Sequence, residues 1–271
     1  MNKYDSLIIG GTGQFGITLS NQLNKKNKKV IITSRKKINR FLNKYTKIVE
    51  LNIYKKKQII FLIKKYKPKY IFYFAGQSSP NVSFKKKFET MRSNFLGCKN
   101  VLESIYETNK NIKFLHAASS EMYGKVKDKI SLKTPKNPVN PYGIAKLKAF
   151  NITKLYREKY NMSTYNAIIF NTESLLRKKN FLIPKICIAA LAAKKYNIKT
   201  EFGNLNIHRE WNWCEDQCKT LTIFLKKKPQ DFILSNGKSY SAKQMLKFAF
   251  EFLHLDYKKF TFENKKKYLR P

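Results

Sequence analysis

Two pairs of polar residues in the middle of the chain have types and spacings that suit proton transfer. Tyr142 and Lys146 are four residues apart, so on a helix they would share one face, one turn apart. An ammonium beside a phenol favours the phenolate and lowers a tyrosine pKa that is otherwise about 10. Ser119 and Glu121 are two residues apart at the end of an apolar segment, and a strand would send both side chains to one face. These four residues predict a site that moves protons on and off a substrate hydroxyl near neutral pH.

Glycines near the N-terminus indicate a cofactor for this chemistry. The apolar run 6–10 predicts a buried strand, and Gly10, Gly13 and Gly16 follow at a spacing that lets the backbone turn and approach a pyrophosphate. The next helix, expected at 17–24, would present its positive N-terminus to that phosphate. The pattern predicts a dinucleotide site, and a purely structural glycine turn is the alternative.

The end of the second expected strand, 29–33, indicates which dinucleotide binds. NAD-binding folds usually carry Asp or Glu there, about 20 residues after the glycines, to hold the ribose 2′-hydroxyl. Here the residues are Thr33, Ser34, Arg35 and Lys36. A carboxylate would repel a 2′-phosphate, whereas Ser34 and Arg35 suit it. We therefore predict NADP rather than NAD, with one more surface Arg-Lys pair in a basic chain as the alternative.

Strand and helix patterns alternate along the first two thirds of the chain. Further strands are expected at 47–52, 70–75, 113–118 and 163–170, and a long amphipathic helix is expected at 88–108. The alternation predicts an α/β fold with a Rossmann-type doubly wound parallel sheet in residues 1–175, which would bind the cofactor and carry the catalytic residues. The rhythm breaks after about residue 180. Residues 176–271 are expected to form a smaller α/β substrate-binding lobe.

Composition argues against several other classes of protein. The net charge of +39 is spread along all 271 residues, among many Asn, Ile, Tyr and Phe, which favours A/T-rich coding bias over a nucleic-acid partner. The four cysteines have no metal-ligand spacing, so we predict reduced thiols and no metal site. No apolar run is long enough to cross a bilayer, and the first strand leaves no room for a signal peptide. We expect a cytoplasmic protein with no membrane partner.

Longer motifs resemble those of a known family. The glycine pattern together with the Ser, Tyr and Lys set is similar to the extended short-chain dehydrogenase/reductases that act on nucleotide sugars, and within them to the GDP-mannose 4,6-dehydratase family. The similar stretches are GGTGQFG (10–16), AGQSSPNVSF (75–84), NFLGCKNVLESI (94–105), SSEMYG (119–124), NPYGIAKLKAF (140–150), FNTES (170–174), GNLNIHREW (203–211) and QDFILSNGKSYS (230–241). They follow one another in the family's order over nearly the whole chain.

The resemblance implies a role for each catalytic candidate. Tyr142, helped by Lys146 and Ser119, would take the proton of the sugar C4 hydroxyl as hydride passes from C4 to NADP. Glu121 would then remove the C5 proton and help to expel the C6 hydroxyl as water, after which hydride returns to C6. An epimerase of the superfamily needs no carboxylate at this position, so Glu121 favours the dehydratase.

The same resemblance implies the binding residues and partners. The cofactor positions are Gly10, Thr12, Gly13, Gln14, Phe15, Gly16, Arg35, Asn52, Ala75, Tyr142 and Lys146. The positions for the substrate, GDP-mannose, are Ser78, Asn171, Lys185, Arg209 and Arg270. Lys185 and Arg209 would hold the diphosphate, a role that suits cations. The family also implies a homodimer or homotetramer.

The chain departs from the family pattern at several positions. Asn52 replaces an Asp that binds adenine, Leu175 and Leu176 replace a Pro-Arg pair, and the segment after Arg35 is short. The sequence ends at 270–271 where family members continue, so we expect a lobe truncated at its C-terminus. The alternatives are a GDP-4-keto-6-deoxymannose reductase, an epimerase of another nucleotide sugar, and an inactive nucleotide-binding homologue.

Overall fold

The computed structural model describes residues 4–36 and 44–264. These residues form the strands β1 (Ser6–Ile9), β2 (Val30–Ser34), β3 (Thr46–Glu50), β4 (Tyr70–Tyr73), β5 (Lys113–Ser119), β6 (Thr164–Ile169), β7 (Asn171–Glu173), β8 (Thr200–Phe202), β9 (His208–Trp213), β10 (Asp231–Leu234), β11 (Ser239–Ser241) and β12 (Thr261–Glu263). They form the helices α1 (Gln14–Asn24), α2 (Lys56–Tyr66), α3 (Pro80–Lys85), α4 (Lys87–Met91), α5 (Gly97–Thr108), α6 (Pro141–Glu158), α7 (Leu182–Tyr196), α8 (Cys214–Phe224), α9 (Ala242–Glu251) and α10 (Tyr257–Phe260). A π-helical segment, Arg92–Leu96, joins α4 to α5, and a 3₁₀ turn, Ser120–Met122, follows β5.

Seven of the strands form one parallel sheet. Their order is β10-β6-β5-β4-β1-β2-β3. The chain runs outward from β1 through β2 to β3 and then crosses back to β4 on the other side of β1, so the strand order reverses between β1 and β4. Ligands of such sheets bind outside the carboxyl ends of the strands at this reversal. The predicted doubly wound parallel sheet is confirmed.

Both faces of the sheet are covered by helices. On one face Leu102 of α5 and Ile59 of α2 are buried against the strands, and on the other face Leu19 of α1 and Leu221 of α8 are buried. Every residue of β1 and of β6 is buried. Strands that are covered on both faces have continuous apolar sequences, which is why the sequence pattern locates them within one or two residues.

The chain divides into two compact units that do not follow the expected boundary. One unit comprises 1–170 and 214–234, and the other comprises 171–213 and 235–271. The sequence predicts a single boundary at 175, with everything after it in the lobe. Instead, β10 pairs in parallel with β6, and α8 packs against α1. The segment 214–234 returns to the sheet because its apolar side chains are buried there, with Phe232 only 4% exposed.

The second unit has a core of its own. Its strands form a three-stranded sheet in the order β11-β9-β7, and β8 pairs with β12. Helices α7 and α9 pack together around Phe202, Leu246 and Phe250, which are almost fully buried. A capping box between Ser241 and Gln244 starts α9. The unit therefore holds its own strands and helices in place through local packing.

Two classes of feature are absent from residues 4–36 and 44–264. No helix within these ranges is both long enough and apolar enough to cross a membrane. The same residues contain no group of three or more His, Cys, Asp or Glu side chains that could hold a metal ion. The four cysteines are free thiols, of which Cys187 alone is exposed.

Candidate active site

Helix α6 carries the Tyr142 and Lys146 pair. Asn140 precedes the helix with an extended backbone, and its Oδ1 accepts a hydrogen bond from the Gly143 N–H at 2.8 Å. Pro141 occupies the first helical position, where its missing N–H costs nothing. The Lys146 Nζ lies 5.8 Å from the centroid of the Tyr142 ring. The local sequence Asn-Pro-Tyr thus starts a helix that presents the phenol and the ammonium on one face.

Lys146 is buried beneath this helix face. Its side chain is held by a hydrogen bond of 2.7 Å from Nζ to the carbonyl of Ala117 on β5, and the residue is 5% exposed. Burial lowers the pKa of Lys146 from 10.5 to about 8, because the ammonium loses its hydration, and the nearby Cys98 thiol acts weakly in the opposite direction. Lys146 therefore keeps its proton at neutral pH and supplies a positive charge near Tyr142.

Ser119 and Glu121 lie at the carboxyl end of β5. Ser119 is the last residue of the strand and is 7% exposed, and its Oγ accepts a hydrogen bond of 3.2 Å from the backbone N–H of Glu121. The expectation that both side chains lie on one face of a strand is wrong, because the strand ends at Ser119. The 3₁₀ turn, and not strand alternation, brings the half-buried Glu121 to this edge of the sheet.

Asn140 connects this turn to helix α6. Its Nδ2 donates a hydrogen bond of 2.7 Å to Oε2 of Glu121, while its Oδ1 caps the helix. A Cβ on Gly143 would overlap the backbone oxygen of Glu121 and would lie 2.9 Å from Cβ of Pro138. The start of α6 is therefore packed directly against the turn. The Asn-Pro pair identifies the helix start from sequence, but the bond to Glu121 spans 19 residues and has no local signature.

The glycine loop between β1 and α1 has the form that the fingerprint predicts. Gly10 has a φ of +85°, and a Cβ there would lie 2.5 Å from the backbone nitrogen of Ala75. A Cβ on Gly16 would overlap Gly11, so the helix start packs closely on the loop. At Gly13, by contrast, an added Cβ would meet only the Gly10 oxygen at 3.5 Å. The space beside Gly13, at a helix N-terminus with no side-chain cap, fits a pyrophosphate.

The other residues of the loop are consistent with this arrangement. Thr12 is exposed, whereas Gln14 and Phe15 are half-buried, and the Phe15 ring packs on Phe74 at 5.4 Å between centroids. Phe74 and Ala75 directly follow β4, so the ring contact joins the segment after β4 to the start of α1. The glycine loop lies at the point where the strand order reverses.

The end of β2 brings Arg35 near a carboxylate. The Arg35 side chain is 90% exposed, and its Nη1 lies 3.8 Å from Oε1 of Glu89 on α4. The Oγ of Ser34 accepts a weak hydrogen bond of 3.3 Å from the Lys36 N–H. Inspection of the strand end alone finds no acid there, because Glu89 is 54 residues away in sequence.

Asn52, at the end of β3, has a local structural role. Its Oδ1 accepts a hydrogen bond of 3.0 Å from the backbone N–H of Tyr54, which closes a turn, and its own backbone N–H donates to Gln58. The guanidinium of Arg92 stacks on the Tyr54 ring at 4.1 Å. One lone pair of the Asn52 amide oxygen is therefore used within the turn.

Ser78 lies in the loop that follows β4. The residue is exposed, and the loop is held by Asn94, whose Nδ2 donates hydrogen bonds of 3.0 Å to the carbonyls of Gln77 and Thr90. A Cβ on Gly76 would overlap the Asn94 side chain. Asn94 lies in the π-helical segment, a feature often found at functional sites. The π-helical segment between α4 and α5 thus fixes the loop that carries Ser78.

The remaining described candidates lie in the second unit. Lys185 on α7 is half-buried, its Nζ donates a hydrogen bond of 2.7 Å to the carbonyl of Glu201, and it lies 4.8 Å from the Phe202 ring centroid. Arg209 on β9 donates from Nη1 to the carbonyl of His208 at 2.7 Å. These cations are held by local bonds to backbone carbonyls.

Asn171 begins β7 and is fixed from the neighbouring strand. Its backbone carbonyl accepts a hydrogen bond of 3.2 Å from Nδ2 of Asn212, and β7 pairs in parallel with β9 so that Asn171 is opposite Trp211. Arg270 lies outside the described residues. The structure therefore assigns the catalytic candidates to the first unit and Asn171, Lys185 and Arg209 to the second.

Solved structures of nucleotide-sugar enzymes have the same fold. A UDP-glucose 4-epimerase from Thermotoga maritima, solved with UDP-glucose, matches with a TM-score of 0.86 at 18% identity over 98% of this chain and 88% of that chain. A dTDP-glucose 4,6-dehydratase from Bacillus anthracis, solved in complex with NAD, matches with a TM-score of 0.85 at 19% identity over 98% of this chain and 86% of that chain. At these identities the likeness concerns the fold alone.

Sequence comparisons show the family. GDP-mannose 4,6 dehydratase of Drosophila melanogaster is 33% identical over 210 residues, which is 73% of this chain and 51% of that protein. The protein of the same name from Dictyostelium discoideum is 33% identical over 70% of this chain and 55% of its own length. The chain thus spans about half the length of the curated relatives it matches. A family model described as GDP-mannose 4,6 dehydratase matches residues 7–269, and the chain belongs to that family.

Proposed function

We propose that this chain is a GDP-mannose 4,6-dehydratase that converts GDP-mannose to GDP-4-keto-6-deoxymannose. The observation that carries the proposal is the grouping of Ser119, Glu121, Tyr142 and Lys146 on the end of β5, the 3₁₀ turn and the first turns of α6. These four side chains supply a hydroxyl, a carboxylate, a phenol and a cation. Family membership supports the guanine nucleotide and the mannose, which these four residues do not determine.

Tyr142 is the proposed acceptor of the proton from the sugar C4 hydroxyl. The Lys146 ammonium, which is buried and protonated at neutral pH, favours the phenolate form by its charge. The Ser119 hydroxyl would hold the C4 oxygen by a hydrogen bond while the C4–H bond breaks. Loss of this proton and of a hydride from C4 leaves a ketone.

Glu121 is the proposed acid and base for the elimination of water. The C4 ketone acidifies the adjacent C5 hydrogen, which the carboxylate removes. The C6–O bond then breaks, and the proton held by Glu121 leaves with the C6 hydroxyl as water. Hydride adds to C6 and C5 takes a proton from solvent, while Tyr142 releases to solvent the proton it took from the C4 hydroxyl, so one molecule of water is the net loss and no electrons are gained.

A nicotinamide dinucleotide is the proposed cofactor. When bound, it takes up hydride from C4 and gives it back to C6. Gly10, Thr12, Gly13, Gln14, Phe15, Gly16 and Ala75 would surround its pyrophosphate, and the open space beside Gly13 supports this assignment. Solved relatives bound to NAD support the class of cofactor.

We propose NADP as the preferred form. Ser34 and Arg35 would bind the 2′-phosphate, and the exposed Arg35 guanidinium has the charge for this contact. Asn52 would contact the adenine through its side-chain amide, one lone pair of whose oxygen closes a turn. Tighter binding of NAD than of NADP, measured by fluorescence titration of the cofactor-free protein, would overturn this preference.

The substrate-binding residues are also proposals. Ser78 and Asn171 would contact the sugar, and Lys185 and Arg209 would hold the diphosphate by charge. Arg270 is proposed to contact the nucleotide on the strength of the resemblance alone. We also propose that the chain assembles into a homodimer or homotetramer, as the resemblance implies, and light scattering after size exclusion tests this.

The test is incubation of the purified protein with GDP-mannose and catalytic NADP. We expect a product that has lost one water and carries a 4-keto group, formed without added NADPH, and no such product from UDP-glucose or dTDP-glucose. Glu121→Gln should retain cofactor binding and abolish the product, because an amide cannot accept the C5 proton. Product formation by Glu121→Gln at the wild-type rate would refute the assignment of the base.

Two other outcomes separate the alternatives. Consumption of GDP-4-keto-6-deoxymannose with stoichiometric NADPH, without any turnover of GDP-mannose, would identify a reductase. Normal binding of NADP with no turnover of any nucleotide sugar would identify an inactive nucleotide-binding homologue.

A further inference from the structure

Asn140 lies between the two halves of the candidate active site. It is 4% exposed, its Nδ2 donates to Oε2 of Glu121 at 2.7 Å, and its Oδ1 accepts from the Gly143 N–H at 2.8 Å. One side chain thus contacts the carboxylate that is the proposed base and starts the helix that carries Tyr142. The catalytic roles proposed for Ser119, Glu121, Tyr142 and Lys146 do not account for the two hydrogen bonds of Asn140.

The helix cap determines which way the Asn140 amide faces. A backbone N–H can bond only to the oxygen of the amide, so the Gly143 N–H requires Oδ1 on its side. The Nδ2 must then face Glu121 as a donor. A hydrogen bond from an amide to a carboxylate oxygen is directional, so it restricts rotation of the carboxyl group.

The backbone of Glu121 is fixed from the opposite side. Its N–H donates to Ser119 Oγ, and its carbonyl is packed against Gly143 so closely that no Cβ fits there. A Cβ on Gly124 would likewise overlap the carbonyl of Asn137, so the turn lies directly against the segment before α6. With the backbone fixed, the bond to Asn140 restricts the direction of the Glu121 carboxylate.

We propose that Asn140 is a positioning residue that holds the Glu121 carboxylate in a fixed orientation for removal of the C5 proton. This inference rests on the proposed dehydratase function. The C5 proton passes to the Oε1 or Oε2 of Glu121 and leaves with the C6 hydroxyl, as balanced above, and Asn140 donates throughout without transferring a proton. Oxidation at C4 depends on Tyr142 and Lys146 and does not need the Nδ2 donor.

Three substitutions separate the donor from the cap. Asn140→Ser keeps an oxygen that caps a helix but removes the donor, and Asn140→Asp keeps the cap but turns a second acceptor toward Glu121. Asn140→Ala removes both functions. We expect helix content and cofactor binding to be retained in the Ser variant, and thermal stability to fall in the Ala variant, which loses the cap, and in the Asp variant, where two carboxylates repel each other.

The kinetic readout is kcat together with the isotope effects from deuterium at C4 and at C5. Loss of the Nδ2 donor should slow the removal of the C5 proton without slowing oxidation at C4, and Asn140→Asp should be slower than Asn140→Ser because two carboxylates then face each other. The kcat of Asn140→Ser should fall about 10-fold at the pH of the wild-type optimum. The isotope effect from deuterium at C5 should rise while that from deuterium at C4 should not.

A second measurement does not depend on turnover. Infrared spectra of ¹³C-labelled glutamate, as the difference between each protein and its Glu121→Gln counterpart, report the Glu121 carboxylate directly. We expect its carboxylate stretching band to shift and broaden in Asn140→Ser, because the amide no longer fixes its orientation. An unchanged band would refute the positioning role even if the enzyme is active, whereas a wild-type protein that forms no 4-keto product would refute the dehydratase assignment alone.

Discussion

The catalytic candidates of the first unit and the substrate candidates of the second are held in different ways. Ser119, Asn140 and Lys146 are each less than a tenth exposed, and each hydrogen-bonds to a neighbouring element of the site. Lys185 and Arg209 are half-buried and bond to backbone carbonyls near their own strands and helices. The residues that position the half-buried Glu121 and Tyr142 are themselves buried, whereas the cations proposed for a diphosphate keep contact with solvent.

This contrast has a physical basis. Proton transfer needs reacting atoms about 3 Å apart in a constant geometry, and buried hydrogen bonds supply that constancy. A diphosphate carries a diffuse charge that can be held by flexible cations, so a buried ammonium would lose hydration without a gain in accuracy. The two groups of residues should therefore respond differently to substitution.

The largest effect is expected for the pair formed by Tyr142 and Lys146 on α6. Tyr142→Phe removes the proton acceptor, and we expect kcat to fall by about 10²–10⁴-fold with little change in KM. Tyr196→Phe, on an exposed tyrosine of α7, is the matched control and should leave kcat unchanged. Initial rates of formation of the 4-keto product measure both. A Tyr142→Phe enzyme that lost affinity instead of kcat would remove the contrast between the units.

Smaller effects, on KM and not on kcat, are expected for substitutions in the second unit. Arg209→Met and Lys185→Met each remove one charge-assisted contact, so KM for GDP-mannose should rise about 10–100-fold with kcat within a few-fold of wild type. Lys195→Met, near the end of α7, serves as the control for loss of a positive charge. If either substitution reduced kcat as strongly as Tyr142→Phe does, the cation would belong with the catalytic group.

A pH-dependent stability change is expected in the second unit. Burial raises the pKa of Glu173 from 4.5 to about 7, and the Arg177 charge only partly opposes this. The folded state therefore keeps a proton between pH 4.5 and 7 that the unfolded chain has lost, so the free energy of unfolding contributed by this group falls as pH rises through that window. Glu173→Gln should gain stability relative to wild type between pH 5 and 8.

Tryptophan fluorescence during urea unfolding measures this change. Both tryptophans of the chain, Trp211 and Trp213, are on β9 and report on the second unit. Glu251→Gln, on an exposed side chain of α9 in the same unit, should not alter the pH dependence. A Glu173→Gln protein whose stability followed the wild-type pH curve would show that the Glu173 carboxyl does not titrate in this window.

The smallest effect tests an exposed cation of the first unit. Glu89→Gln removes a neighbour that competes with a 2′-phosphate for Arg35, and we expect Kd for NADP to fall by at most about 5-fold, since exposed ion pairs are weak. Affinity for NAD should not change. Glu103→Gln, on α5, is the control. A small effect at Arg35, which lies in the first unit, would show that the solvent exposure of a residue, and not the unit in which it lies, determines how strongly a substitution changes binding.

The fold could be predicted from short stretches of sequence because its strands are covered on both faces. Apolar runs such as 30–33 and 164–169 need no distant partner to be recognised. The glycine loop and the Asn-Pro start of α6 are equally local, since backbone turns and helix caps depend on a few adjacent residues. Ser119, Tyr142 and Lys146 were identified for the same reason.

Contacts between residues distant in sequence could not be predicted in this way. Glu121 is brought to the site by a turn packed on α6, and its bond to Asn140 depends on which way a capped amide faces. The approach of Glu89 to Arg35 and the return of 214–234 to the sheet have the same origin. Hydrophobic periodicity and turn residues encode local conformation, whereas the partner of each buried polar group is selected only when the whole chain packs.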